Sequence, residues 1–158
     1  MPSPVPILPP EVFIDSGGFI ALYVPGDAYH QAAISCRDQT LRFSRLYTSS
    51  AVIAETIAHI QHDHLLDQQN LHDLISDFLR FEKWISLLSV DDDVLMRSLQ
   101  MVREMRDRRF SLVDATNIVL MEKHQIDVIF SFDGSYDGIP IQRGHNTRFI
   151  HRVGLHSP

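Results

Sequence analysis

The sequence has one cysteine, no long apolar run and a shortage of positive charge, and each of these excludes a class of protein. Cys36 alone cannot form an intramolecular disulfide, which suits a reducing cytoplasm. No apolar run approaches the roughly 18 residues that a membrane span needs, so we expect no membrane association. Lys and Arg number 14 against 20 Asp and Glu, a net charge of −6, which disfavours broad nucleic-acid binding through global charge.

Length and composition predict one globular domain. The chain has 158 residues, of which 44% are hydrophobic, enough for a real core. The opening segment, MPSPVPILPP, lacks a basic region and is broken by prolines, so it does not resemble a secretory signal. We therefore predict a flexible leader over residues 1–10, a single domain over residues 11–158 and a cytoplasmic location.

One stretch organises the chain: SLVDATNIVLMEKHQIDVIFSFD, residues 111–133. Ser111 and Asp114 stand three apart ahead of apolar residues at helical spacing, which predicts a capped helix. Residues 128–132 are apolar and of high β-propensity, which predicts a buried strand. A strand that follows a helix so closely indicates parallel β/α winding, in which functional groups gather at the carboxyl ends of strands. Asp133 lies at such an end.

The remaining acids of interest repeat this placement. A predicted strand over residues 12–14 ends at Asp15, and a helix-like segment over residues 19–24 follows. Glu55 lies in a helical apolar pattern, SSAVIAETIAHI, with Ser49 or Ser50 as the cap. Two strand-end aspartates and a helix-start aspartate are placed to converge, and Glu55 either joins them or faces solvent.

The order of predicted elements is β-α-α-β-α-α-β-α-α-β. It comprises helices over residues 27–38, around 67–84 and from 91 to about 107, and strands over 46–48, 85–90 and, as an edge, 148–153, besides the elements above. This order is typical of an α/β fold with helices on both faces of a mostly parallel sheet.

Three segments together resemble a known family. VFIDSGGFIAL, SSAVIAETIAHI and SLVDATNIVLMEKHQIDVIFSFD are similar to the three signature blocks of the PIN-domain family, and most similar to VapC-type ribonuclease toxins and stand-alone PIN proteins. The resemblance implies a three-layer α/β/α sandwich with a mostly parallel sheet of four to five strands. It also implies an endoribonuclease that depends on Mg²⁺ or Mn²⁺ and is controlled by a protein antitoxin.

The family's acids can be assigned residue by residue. The resemblance places the catalytic and metal-binding carboxylates on Asp15, Glu55, Asp114 and Asp133. Such clusters hold hard cations that activate water for phosphodiester hydrolysis.

Three further residues are candidates for supporting roles in the predicted site. The family's hydroxyl residue after the first acid falls on Ser16, and Asn117 and Asp137 are possible supporting residues. The sequence departs from the family at Gly17, where a second small polar residue is common, so any contact with a metal-bound water there must come from the backbone or elsewhere.

Other interpretations compete with the ribonuclease. The first is a PIN-fold module that binds RNA or protein and cleaves weakly or not at all, which Gly17 favours. A weaker one is a zinc hydrolase that uses His59, His62 and His64; a solvated histidine-rich face explains the same residues. The basic run over residues 103–109 is either a solvated helix face or a rim that contacts phosphates beside the acids.

A homodimer is also expected. The helix that carries Glu55 and the helix around residues 67–84 supply more apolar surface than a small sheet needs. A monomer would leave a large apolar patch exposed.

Overall fold

The computed structural model describes residues 8–106 and 110–154, and in these the chain forms seven strands and six α-helices. The strands are β1 (Glu11–Ile14), β2 (Arg45–Ser49), β3 (Ile85–Leu88), β4 (Val128–Phe130), β5 (Pro140–Arg143), β6 (Asn146–Phe149) and β7 (His151–Val153). The helices are α1 (Ser16–Tyr23), α2 (His30–Gln39), α3 (Ser50–His62), α4 (Gln68–Phe78), α5 (Asp92–Glu104) and α6 (Leu112–Lys123). Residues 1–7 of the predicted leader and 107–109 of the basic run lie outside the described residues.

Five strands form one parallel sheet in the order β3-β2-β1-β4-β7, and β5 and β6 form a separate antiparallel hairpin. The middle strand, β1, contributes Val12, Phe13 and Ile14, and all three are buried. A strand that is covered on both faces buries every side chain, which explains why these consecutive residues of β1 are all apolar. The predicted α/β fold with a mostly parallel sheet is confirmed.

Local capping determines where several helices begin. The side chains of Ser49, Asp67, Asp91 and Ser111 each accept a hydrogen bond from a backbone N–H in the first turn of the helix that follows. Each bond satisfies a donor that the helix leaves without a partner. These starts agree with the sequence prediction.

Several predicted boundaries are wrong. The helix predicted from Asp27 begins at His30, because Asp27 accepts the N–H of Tyr29 in a turn instead. The helix predicted to reach residue 84 ends at Phe78 and is followed by a 3-10 turn over Phe81–Lys83. The predicted edge strand over 148–153 is two strands, β6 and β7, and the hairpin that β6 forms with β5 was not predicted.

The last predicted strand is also shorter than expected, and the cause bears on the site. β4 ends at Phe130 rather than at residue 132. The Ser131 hydroxyl accepts the backbone N–H of Asp133 at 3.1 Å, and this turn takes the chain out of the ladder. The carboxyl ends of β1 and β4 thus remain adjacent, with Ile14 paired to Phe130.

Helix α1 begins earlier than predicted, at Ser16, with Asp15 as its N-cap residue. It lies against β4 so closely that a Cβ atom on Gly18 would stand 2.6 Å from Phe130 Cδ1 and 2.7 Å from the Phe130 carbonyl oxygen. At Gly17 the nearest atom would be Asp15 Oδ2 at 3.9 Å. Gly18 therefore allows the close approach of helix and strand, whereas Gly17 has room for a side chain.

We expect Gly18→Ala to destabilise the protein by about 1–3 kcal/mol or more, since backbone and ring must move apart. Gly17→Ala is the matched control and is expected to be neutral or stabilising by up to about 1 kcal/mol, because Ala favours a helix over Gly. Urea unfolding of both variants checks this. Equal stabilities for the two would contradict the packing of α1 on β4.

None of the helices in the described ranges is both long enough and apolar enough to cross a lipid bilayer.

Candidate active site

Asp15 is the most deeply buried carboxylate of the candidate site. It follows β1 and is 4% exposed. Asn117 Nδ2 donates to its Oδ1 at 3.1 Å, and Ser131 Oγ donates to its Oδ2 at 2.9 Å. Burial raises the pKa of Asp15 to about 7; the hydrogen bond from Ser131 opposes this rise and the charges of Asp114 and Glu55 add to it. The fold thus holds a carboxylate where its charge is disfavoured.

Glu55 reaches the same place from α3. It is half-buried, and its Oε2 accepts a hydrogen bond from Ser16 Oγ at 2.5 Å. Ser16 Oγ also stands 3.5 Å from Asp15 Oδ1. Burial raises the pKa of Glu55, the bond from Ser16 lowers it, and the charge of Asp114 raises it. Glu55 therefore faces the other acids and not solvent alone, although 39 residues separate it from Ser16.

Asp114 has two structural roles at once. In the capping box, its Oδ2 accepts the N–H of Ser111 at 2.8 Å and its own N–H donates to Ser111 Oγ at 3.0 Å. Its Oδ1 accepts a hydrogen bond from the Tyr136 hydroxyl at 3.0 Å. The predicted cap is therefore present, and the carboxylate also faces the site through its second oxygen.

Asp133 lies at the edge of this group. Its backbone N–H donates to Ser131, whose hydroxyl bonds Asp15, so a single side chain joins the two aspartates. The carboxylate is exposed, and its Oδ1 accepts the N–H of Ser135 at 2.9 Å, capping a 3-10 turn over Gly134–Tyr136. The structure thus gives the Asp133 carboxylate a turn role, while the link to Asp15 through Ser131 runs from the Asp133 backbone.

Asp137 forms an ion pair with Arg152. Arg152 donates to its two carboxylate oxygens from Nε and Nη2, both at 2.8 Å. The hydrogen bonds and charge of Asp137, together with the charge of Asp133, raise the pKa of Arg152. Asp137 therefore serves as the partner of an arginine that flanks the site, and no sequence pattern indicated this pair.

Two buried residues, Asn117 and Tyr136, join the acids to one another. Asn117 Nδ2 donates to Asp15 and also to the Tyr136 hydroxyl at 3.0 Å. Burial, followed by the charges of Asp15 and Asp114, raises the pKa of Tyr136 well above its usual value, so the hydroxyl keeps its proton. Asn117 was predicted as a supporting residue, whereas Tyr136 and Ser131 were missed because their role depends on contacts distant in sequence.

The donor set fits a hard divalent cation. The side chains around Asp15 present carboxylate, hydroxyl and amide oxygens, which Mg²⁺ and Mn²⁺ prefer. In the described part of the chain Asn117 Oδ1 is buried without a hydrogen-bond partner. Across residues 8–106 and 110–154, no three His, Cys, Asp or Glu groups stand close enough to hold a metal ion as placed. Mg²⁺ usually keeps several waters and is often held by only one or two protein carboxylates.

Within the described residues, His59, His62 and His64 form no group that could hold a metal ion. His59 and His62 are exposed and both contact Asp63, at 3.1 Å and 3.8 Å. Exposed pairs of this kind are typical of a solvated helix end. In the basic run, Arg103 and Arg106 are likewise exposed.

Comparisons with known proteins agree with this architecture. A family model described as PIN domain matches residues 12–141. VapC20 from Mycobacterium tuberculosis, described as a sarcin-ricin loop cleaving toxin, is 24% identical with a TM-score of 0.69, over 78% of this chain and 90% of that chain. FitAcB from Neisseria gonorrhoeae is 16% identical with a TM-score of 0.56, over 78% and 89%. VapBC-1 from nontypeable Haemophilus influenzae is 15% identical with a TM-score of 0.51, over 78% and 87%. No curated protein matches the sequence significantly.

Proposed function

Because the chain belongs to the PIN-domain family, we propose that it is a divalent-metal-dependent endoribonuclease and the toxin of a toxin–antitoxin pair. One observation carries the proposal: Asp15 is buried beside Glu55 and Asp114, and its pKa is raised to about 7. Burying carboxylates together weakens a fold, so such a cluster favours a functional use.

The acids would hold Mg²⁺ or Mn²⁺ with Asp15 at the centre, Glu55 and Asp114 beside it, and Asp133 at the edge. When bound, the cation supplies a water of lowered pKa and stabilises negative charge on the phosphate. The chain's own side chains prepare the acids for this. Ser16 orients Glu55, and Ser131 and Asn117 orient Asp15.

An antitoxin would have a groove to occupy. A cavity of about 640 Å³ opens between α1, α2 and α4, and Phe19, Leu22 and Trp84 are among its apolar lining residues. Its charged lining consists of Arg37, Arg42, Arg80, Lys83 and Asp77. The excess of cations suits a partner segment that carries apolar side chains and carboxylates. The groove supports an antitoxin partner of that chemistry.

A second candidate is a PIN-fold module that binds RNA or protein with weak cleavage or none. Gly17 favours it, because it contributes no side chain beside Asp15.

RNA cleavage separates the two functions. The purified chain is incubated with single-stranded RNAs and with the sarcin-ricin loop, the substrate named for VapC20. We expect cleavage in Mg²⁺ or Mn²⁺ and none in EDTA, with an identically purified Asp114→Asn preparation as the control for contaminating nucleases. Equal cleavage by parent and variant, or RNA binding without cleavage, would overturn the ribonuclease.

We propose that the chain forms a homodimer, and that it pairs through α5 rather than through the two helices expected from the sequence. Exposed apolar side chains follow one another along α5 at Leu95, Met96, Leu99 and Val102. The segment over residues 67–84 exposes fewer, namely Ile75, Leu79 and Trp84, and Trp84 lines the groove described above. A continuous stripe of this kind is typical of an interface, so α5 is the better candidate.

We expect light scattering at micromolar concentration to give a dimer mass for the parent and a monomer mass for Leu99→Glu. A buried carboxylate in an apolar interface has no partner there. Leu79→Glu, on α4, is the control and should stay dimeric. A monomeric parent, or dissociation caused by Leu79→Glu instead, would contradict an interface on α5.

A further inference from the structure

Tyr136 is a fully buried tyrosine whose hydroxyl lies between two residues of the acid cluster. It belongs to the 3-10 turn Gly134–Tyr136 that follows β4. The hydroxyl is 3.0 Å from Asp114 Oδ1 and 3.0 Å from Asn117 Nδ2. Asn117 in turn is 3.1 Å from Asp15 Oδ1. These contacts form one polar chain from the end of β1, through α6, to the turn and back to the start of α6.

The direction of each bond in this chain is fixed by the groups that take part. An ionised carboxylate only accepts, and an amide nitrogen has two hydrogens to donate. Asn117 therefore gives one hydrogen to Asp15 and one to Tyr136, and the single hydroxyl hydrogen of Tyr136 goes to Asp114. Both Asn117 amide hydrogens and the Tyr136 hydroxyl hydrogen are therefore used in this chain of bonds.

We propose that Tyr136 is a positioning residue that holds the Asp114 carboxylate in place relative to Asp15 through Asn117. The proposal rests on the proposed function, because it concerns the acids that would bind the cation. Two like charges repel one another when no cation lies between them. A buried hydrogen-bonded tie keeps them together and leaves less rearrangement for the moment of binding.

Removing the Tyr136 hydroxyl distinguishes the positioning role from a role of the ring in packing alone. The ring is buried in the core, and a phenylalanine there would fill the same space. If only the ring matters, loss of the hydroxyl leaves metal affinity unchanged. If the hydroxyl matters, the fold persists and the metal affinity falls.

Tyr136→Phe therefore tests the proposal, with Tyr47→Phe as the matched control. The Tyr47 hydroxyl also donates to a carboxylate at 3.0 Å, but its acceptor is Glu11, at the amino end of β1 and away from the site. Mn²⁺ titrated calorimetrically into each metal-free protein gives the Kd. We expect Tyr136→Phe to weaken Mn²⁺ binding about 10-fold and to lower kcat for RNA similarly with KM unchanged, while Tyr47→Phe matches the parent.

Asn117→Ser removes the amide that connects Asp15 to Tyr136. This variant replaces Tyr136→Phe in the test if Tyr136→Phe does not fold, and it should weaken Mn²⁺ binding to a similar extent. An unchanged Kd and kcat in a folded Tyr136→Phe, or equal weakening in Tyr47→Phe, would overturn the positioning role and leave the proposed function standing. A parent that binds no Mn²⁺ would overturn both.

Discussion

Asp15→Asn is expected to abolish RNA cleavage and, at the same time, to make the metal-free protein more stable at pH 8. The rate of RNA cleavage should fall on the order of a hundredfold or more, because the central negative ligand is removed. The gain in stability follows from burial. Asn has the size of Asp and keeps an acceptor for Asn117, but it carries no charge to bury.

The pH dependence has a definite sign. The pKa of Asp15 is raised from 3.8 to about 7 in the fold, so the folded state binds a proton more tightly than the unfolded chain does. The stabilising effect of that proton is fully present below about pH 4 and is lost as pH rises through about 7. From this shift the ionised carboxylate costs the metal-free fold up to about 4 kcal/mol at pH 8.

The measurement is urea unfolding in EDTA from pH 4 to pH 8 for the parent and Asp15→Asn. The free energy of unfolding of the parent should fall relative to that of the variant across this range. Adding Mg²⁺ at pH 8 should raise the stability of the parent and hardly that of the variant, since a ligand stabilises the state it binds. A constant difference across pH, or equal stabilisation by Mg²⁺, would show that Asp15 is not the buried charge that the cation compensates.

Asp114→Asn is expected to reduce the rate of RNA cleavage on the order of a hundredfold or more. The free energy of unfolding should fall by only about 1 kcal/mol or less. Asn can still accept one of the two hydrogen bonds that Asp114 receives, from Ser111 or from Tyr136. The negative charge is lost, however, and with it one ligand for the cation. The two roles of Asp114 thus predict effects of very different size.

Ser111→Ala is the matched control, because it removes the other half of the same capping box without changing any acid. It should destabilise the protein by about 1 kcal/mol and retain cleavage. Single-turnover cleavage of RNA in Mg²⁺ and in Mn²⁺, with unfolding curves for both variants, checks the pair. If Asp114→Asn cleaved as fast as the parent in both metals, Asp114 would be only a cap and the metal-dependent mechanism would give way to the binding module.

Features that depend on near neighbours could be predicted from the sequence. The capping box joins Ser111 to Asp114, three positions further along the chain, and the apolar periodicity around it follows the helix turn, so the start of α6 was predicted correctly. The alternation of strands and paired helices likewise predicted the parallel sheet. The three signature blocks pointed to Asp15, Glu55, Asp114 and Asp133. The structure brings the first three near one another, whereas the Asp133 carboxylate caps a turn.

The tertiary structure alone decided what surrounds those acids. Ser131 lies 116 residues from Asp15 in sequence and Asn117 lies 102 residues away, yet each bonds it. Tyr136 gave no signal because a tyrosine in a turn has a polar role only when packing brings a carboxylate to its hydroxyl. Gly18 is required only because Phe130 lies against it. The local sequence determines where helices form, because their hydrogen bonds join residues close in sequence. Which side chains meet at the site depends on burial and on strand pairing, which join residues far apart in sequence.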